Sequence, residues 1–181
     1  MPTLEEQLTF LKNAGIELKP GVTVDDLLSF SSREDYETSP YHHLLGIMGD
    51  LPDRSDDIIH WDSECVDNQG VYGNLALEMQ ALCDDAFMSS DVQDFIDYDN
   101  GVGWLSFVLN GQTYKWDLVV DNDWIDGTIF TRFVELLAQQ NTDKRFTYGD
   151  LGGQDFLIGC ASPEELELLN TQTEIPFSWL T

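Results

Sequence analysis

The chain has 181 residues, 42% of them hydrophobic and 12% aromatic, the make-up of one folded globule that can bury a core without disulfide or metal staples. Its 34 acids against 8 bases give a formal net charge of -26, far beyond what solubility needs. That balance opposes direct binding to nucleic acid or to anionic membranes, both of which rest on cations set against phosphate, and it favours a basic partner reached by long-range steering.

The first fifty residues read as helical. Leu4, Leu8 and Leu11 share a face, Thr3 can cap with Glu6 three residues on, and Gly15 stops the helix. A second short helix is expected near Thr23, with Val24, Leu27 and Leu28 facing inward. SSREDYETSP reads as a polar break, and YHHLLGIMGD after it as either a third helix or a buried connector. Alternation from Asp57 to Cys65, with Ile59 and Trp61 against His60, Asp62 and Glu64, predicts a half-buried strand. A Gly/Asn-rich turn then leads to LALEMQALCDDAF, a helix with Leu75, Met79, Leu82 and Phe87 inward.

The centre is a meander. Asn110-Gly111 between two apolar runs signals a two-residue hairpin that sets Leu109 opposite Gln112, Phe107 opposite Tyr114 and Leu105 opposite Trp116. The other face pairs Ser106 with Lys115 and Trp104 with Asp117, a solvated side with one exposed aromatic. Asn100-Gly101 marks a second turn, so VQDFIDY adds a strand before it. Ile129, Phe130, Phe133, Val134, Leu136 and Leu137 then recur with helical spacing, on a helix that lies against the apolar side of the sheet. Two short strands follow in RFTYGDLGGQDFLIGCA, and Ser162-Pro163-Glu164-Glu165 opens a last helix. The expected fold is α+β in a single domain, residues 1–181. A helical region over 1–50 precedes an antiparallel sheet of about five or six strands over 57–181, with helices mainly on one face.

The three cysteines, 65, 83 and 160, form no C-x-x-C pair and sit in apolar or helical contexts, so they read as reduced, partly buried thiols. There is no basic segment followed by an apolar leader and no run of membrane-spanning length. Both features predict a reducing, cytoplasm-like compartment.

Catalytic and cofactor motifs are sparse. VVDNDWIDG, residues 119–127, is rich in oxygen ligands, but an EF-hand counted from Asp121 would place Ile125 at position 5, Asp126 at position 6 and Arg132 at position 12, which breaks the pattern where it matters. The stretch reads instead as a strand exit in which Asp123 or Asp126 caps the next helix. His60, Asp62 and Glu64 would share a strand face and His42-His43 could join them; these, or Asp121, Asp123 and Asp126, are the basis for a competing reading as a metal-binding domain or small enzyme. No nucleophile elbow, activated cysteine or phosphate-cradling glycine loop is present, and no cofactor is implied.

What stands out is acidity beside aromatics. No lysine or arginine occurs between Ser55 and Tyr114, and none from Phe146 onward. Within the first of these stretches Asp84, Asp85, Asp91, Asp94, Asp97 and Asp99 lie close in sequence to Tyr98 and Trp104, and Asp121 and Asp123 extend the same field. Carboxylates bordering aromatics match a Lys/Arg-rich protein surface, with the rings as anchors and the acids supplying steering.

The hairpin LSFVLNGQTYKWDLVVDNDWID, the helix FTRFVELLAQQ, the strand DFLIGCA and the terminal helix SPEELELL together resemble small acidic immunity proteins encoded beside bacterial polymorphic or contact-dependent toxins. The resemblance spans residues 102–170 and rests on pattern and acidity. It implies a cytoplasmic, non-enzymatic antidote that binds a cognate toxin domain, often a basic nuclease, and covers its active site. A related expectation is a DNA mimic that regulates a nucleic-acid-binding protein.

Overall fold

Four helices open on the same reciprocal cap, in which a hydroxyl side chain accepts the N3 backbone N–H and the N3 carboxylate accepts the cap's own N–H. In a computed structural model, which describes every residue except 84, 85 and 87, these are α1 (Leu4–Asn13, Thr3 with Glu6), α2 (Val24–Leu28, Thr23 with Asp26), α3 (Arg33–Thr38, Ser32 with Asp35) and α7 (Pro163–Gln172, Ser162 with Glu165). The cap on α3 overturns the polar break expected over SSREDYETSP. Tyr36 anchors that helix in the core, its hydroxyl donating to the Leu27 carbonyl at 2.9 Å. YHHLLGIMGD resolves as a helix, α4 (His42–Asp50).

The fold is α+β. Among the described residues the remaining elements are β1 (Ile58–Asp62), α5 (Val71–Ala81), β2 (Ser89–Asp97), β3 (Val102–Leu109), β4 (Gln112–Val119), α6 (Thr128–Leu137), β5 (Arg145–Gly152), β6 (Asp155–Ala161) and β7 (Phe177–Trp179). The strands expected in one sheet fall in two, ordered β1-β6-β5-β7 and β2-β3-β4. The chain divides into two compact units, residues 1–61 with 143–180 and residues 62–142 with Thr181.

In the first unit the N-terminal helices share a core with β1, β6, α7 and β7: Leu4, Leu11, Leu27, Leu44, Leu45 and Met48 pack with Ile58, Leu157, Leu169 and Phe177. β7 was not anticipated from the sequence. It adds to the edge of β5 with Thr147 opposite Trp179 and Gly149 opposite Phe177. In β1 the first two residues, Ile58 and Ile59, are both buried, and His60 and Trp61 are half-buried.

In the second unit the meander forms, and its β3-β4 hairpin has the predicted register, Leu109 opposite Gln112 through to Trp104 opposite Asp117. Leu105, Phe107 and Leu109 of β3 and Ile96 of β2 are buried. Phe133 of α6 lies edge-on to Trp116 at 5.0 Å and stacks with Phe107 at 6.3 Å, so this helix covers the inner side of the sheet. Tyr72, Leu75, Ala76 and Met79 are the buried face of α5, which packs against β2. Asp84, Asp85 and Phe87 lie outside the described residues.

Candidate functional site

The side of the β2-β3-β4 sheet opposite α6 is open. Period-two alternation puts Val102, Trp104, Ser106 and Val108 of β3 on it, and the register brings Asp97, Phe95 and Gln93 of β2 and Val119, Asp117 and Lys115 of β4 alongside. Phe95 is 41% exposed, Val102 51% and Val119 65%, an apolar strip on a chain whose surface is otherwise strongly acidic. Phe95 and Trp104 stand directly opposite each other with rings stacked at 6.2 Å and 24°. Lys115 places its Nζ 4.5 Å from the centre of the Trp104 ring.

One end of this face carries the acids. The turn after β2 and the exit of β4 meet there, because Asp97 pairs with Val102 and Val102 with Val119. Asp97 closes the turn by accepting from Asn100 through both oxygens, at 3.1 Å from the backbone N–H and 2.8 Å from Nδ2. Those hydrogen bonds hold its carboxyl below the usual aspartate range, so the charge is fixed at neutral pH. Asp99, Asp121 and Asp123 are exposed. The Tyr98 hydroxyl donates to the Val66 carbonyl at 2.9 Å. Desolvation raises the pKa of that phenol, and the carboxylates of Asp67, Asp123 and Asp94 raise it further, as expected where acids converge on a ring.

The corner VVDNDWIDG resolves into three jobs. Trp124 donates to the Asp121 carbonyl at 3.0 Å, closing a turn in which Asn122 takes φ 52°. Asp123 is not the cap; its carboxylate faces solvent while its carbonyl accepts from Val66. Asp126 is buried and does the capping: Oδ1 accepts from the Thr128 N–H at 3.0 Å and its Oγ1 at 2.8 Å, and Oδ2 accepts from the Val119 N–H at 2.9 Å.

Of the other residues expected at a partner surface, Asp91 is exposed at φ 52° in the bulge of β2, and Asp94 points the opposite way. The Asp94 carboxylate accepts from Gly70, Tyr72 and Gly73 N–H groups at 3.0, 2.9 and 3.1 Å. It thereby caps α5, whose own N-cap, Gly70, has no side chain to do so. The edges of the sheet are partly blocked as well. The β2 edge is broken by its bulge, and at the end of β4 the outward N–H of Val119 goes to Asp126 and the outward carbonyl of Asp117 to Arg132 at 3.0 Å. The face, not the edge, is what this sheet offers.

In the first unit His42, His43 and His60 line one cleft of about 290 Å³ together with Asp50, Leu151 and Asp155. His60 lies between Asp155, 3.2 Å from Nε2, and Asp50, 3.5 Å from Nδ1. Its carboxylates are therefore not those the sequence suggested: Asp62 accepts from the Glu64 backbone N–H at 2.8 Å instead. Among the described residues no group of three or more His, Cys, Asp or Glu side chains is placed to hold a metal. The cysteines form no disulfide, and burial, followed by the charges of Asp62 and Asp67, pushes the Cys65 thiol up to about 12, far from a nucleophile at neutral pH. No helix among the described residues is long and apolar enough to cross a membrane.

Sequence reasoning singled out Trp104 and missed Phe95, Val102, Val119 and the seat of Lys115. The signal for Phe95 was present in the turn before β3. A two-residue turn at Asn100-Gly101 sets Asp97 opposite Trp104, whereas the four residues from Tyr98 to Gly101 that actually turn the chain set Phe95 there. Compared with protein-family models, curated proteins and solved structures, the chain matches none.

Proposed function

We propose that this protein is a non-enzymatic inhibitor that neutralises a basic, nucleic-acid-acting protein by covering its cationic surface, as an immunity protein or antitoxin does. One observation carries the reading: an apolar strip of exposed Phe95, Val102 and Val119 with the half-buried Trp104, bordered by Asp97, Asp99, Asp121 and Asp123 on a chain of charge -26. A contiguous apolar strip on a soluble protein marks a docking surface, and its acidic border selects a cationic partner. The carboxylates stand in for phosphates while the aromatics supply the buried centre. Asp94, engaged with α5, is not part of this surface, and the residues that serve it are Asp97, Tyr98, Asp99, Trp104, Asp121 and Asp123.

The test is cellular and then biochemical. If the gene immediately upstream encodes a toxin-tip domain, that domain is expressed alone and with this protein. The proposal expects growth arrest alone, rescue on co-expression, and a complex that weakens by at least about tenfold between about 50 and 500 mM salt. Absence of rescue, or a complex indifferent to salt, contradicts it.

A further inference from the structure

Resting on that reading and sharpening it, we propose that the Trp104–Phe95 platform is a guanidinium-binding subsite that Lys115 occupies in the free protein and yields to an arginine of the basic partner. Two near-parallel rings side by side on an open sheet face present a flat π surface, and a cation already sits on it, Nζ 4.5 Å from the Trp104 centroid. Lys115 is the first lysine or arginine after Arg54, across a run of 60 residues, Ser55 to Tyr114, without one. Among the described residues Lys115 is the one cation placed on this face, and it sits on the half-buried Trp104 indole. Lys115 is itself exposed and has no ion pair among the described residues, so only the ring and the local field hold it there.

The chemistry around the platform favours arginine as the incoming group. Asp117 stands directly across from Trp104, and Asp97 sits beside Phe95 on the next outward position of β2. A guanidinium laid flat on the indole can direct its N–H edge at such carboxylates while keeping its face on the ring. An ammonium, compact and strongly hydrated, gains less from a flat surface. Lys115 thus keeps the aromatic face covered in the absence of partner and is displaced by a cation better matched to it. The occupant is an arginine presented by a basic protein surface, as the charge of this face requires.

The experiment uses the full chain labelled with 15N, titrated with an arginine octapeptide and a lysine octapeptide at equal ionic strength while the Trp104 indole Nε1–H resonance is followed. Wild type is compared with Lys115→Met, Trp104→Leu and Lys12→Met, the last a matched loss of one exposed positive charge in the other unit. The proposal expects the arginine peptide to move the Trp104 resonance and to bind more tightly than the lysine peptide. It also expects Lys115→Met to tighten arginine binding about two- to fivefold beyond Lys12→Met, the size of a surface cation–π contact, and Trp104→Leu to abolish the preference for arginine. Peptide binding that leaves Trp104 unmoved, or equal gains from the two lysine variants, overturns the subsite while leaving the acidic-inhibitor reading intact. No binding of either peptide at low salt overturns both. Should Trp104→Leu fail to fold, the comparison of the two lysine variants decides alone.

Discussion

At the scale of single residues, aspartates that look alike in the sequence do different work. Asp94 and Asp126 are fasteners: one caps α5 across 21 to 24 residues of chain, and the other ties the start of α6 to the end of β4. Asp99 and Asp123 carry exposed charge. Asp94→Ala strands three backbone N–H groups at the α5 N-terminus and is expected to cost about 1–2 kcal/mol, seen as a lowered urea midpoint, while Asp99→Ala leaves the midpoint in place. Equal midpoints for the two variants would contradict the distinction. Local caps were legible because both partners lie within three residues, as in Thr3 with Glu6. The Asp94 cap was not, because no spacing rule links a strand residue to a helix start that pairing brings to it.

Among the elements, α4 shows how a sequence that reads ambiguously is settled by packing. Its run HHLLGIMGD carries two glycines and no side-chain cap, so helix and connector were both open. The two glycines are not equivalent. A Cβ on Gly49 would lie 2.6 Å from the His60 backbone nitrogen and 2.9 Å from the Ile59 carbonyl carbon, so its absence is what lets α4 seat on β1. A Cβ on Gly46 would meet nothing within 4 Å. Gly49→Ala is expected to destabilise by about 1–3 kcal/mol through overpacking, and Gly46→Ala to stabilise by about 0.5–1 kcal/mol by lowering the entropy of the unfolded chain; urea unfolding of the two variants separates them, and the same sign for both would refute the packing account. The β3-β4 hairpin, by contrast, was legible to the residue, because Asn110-Gly111 fixes a two-residue turn and period two does the rest. The split into two sheets was not, since strand periodicity says which face is buried and nothing about which strands are neighbours.

Over the whole molecule, a charge of -26 raises the question of whether recognition belongs to one face or to a diffuse field. The sequence made the acidity plain but not its placement, because it could not show that Asp94 turns inward, that Asp126 is buried, or that Asp97, Asp99 and Asp121 meet at one sheet end beside an apolar strip. Composition predicts attraction to any polycation; the geometry predicts that one end of one face dominates it. The most direct measurement is calorimetric titration of the arginine octapeptide into two variants of identical net charge. One carries Asp97→Asn, Asp99→Asn, Asp121→Asn and Asp123→Asn; the other carries Glu34→Gln, Asp143→Asn, Glu167→Gln and Glu174→Gln, all exposed acids of the first unit. A face-specific site predicts that the first variant loses about tenfold in affinity and the second less than about threefold; equal losses would contradict it and return the acidity to a general property of the surface.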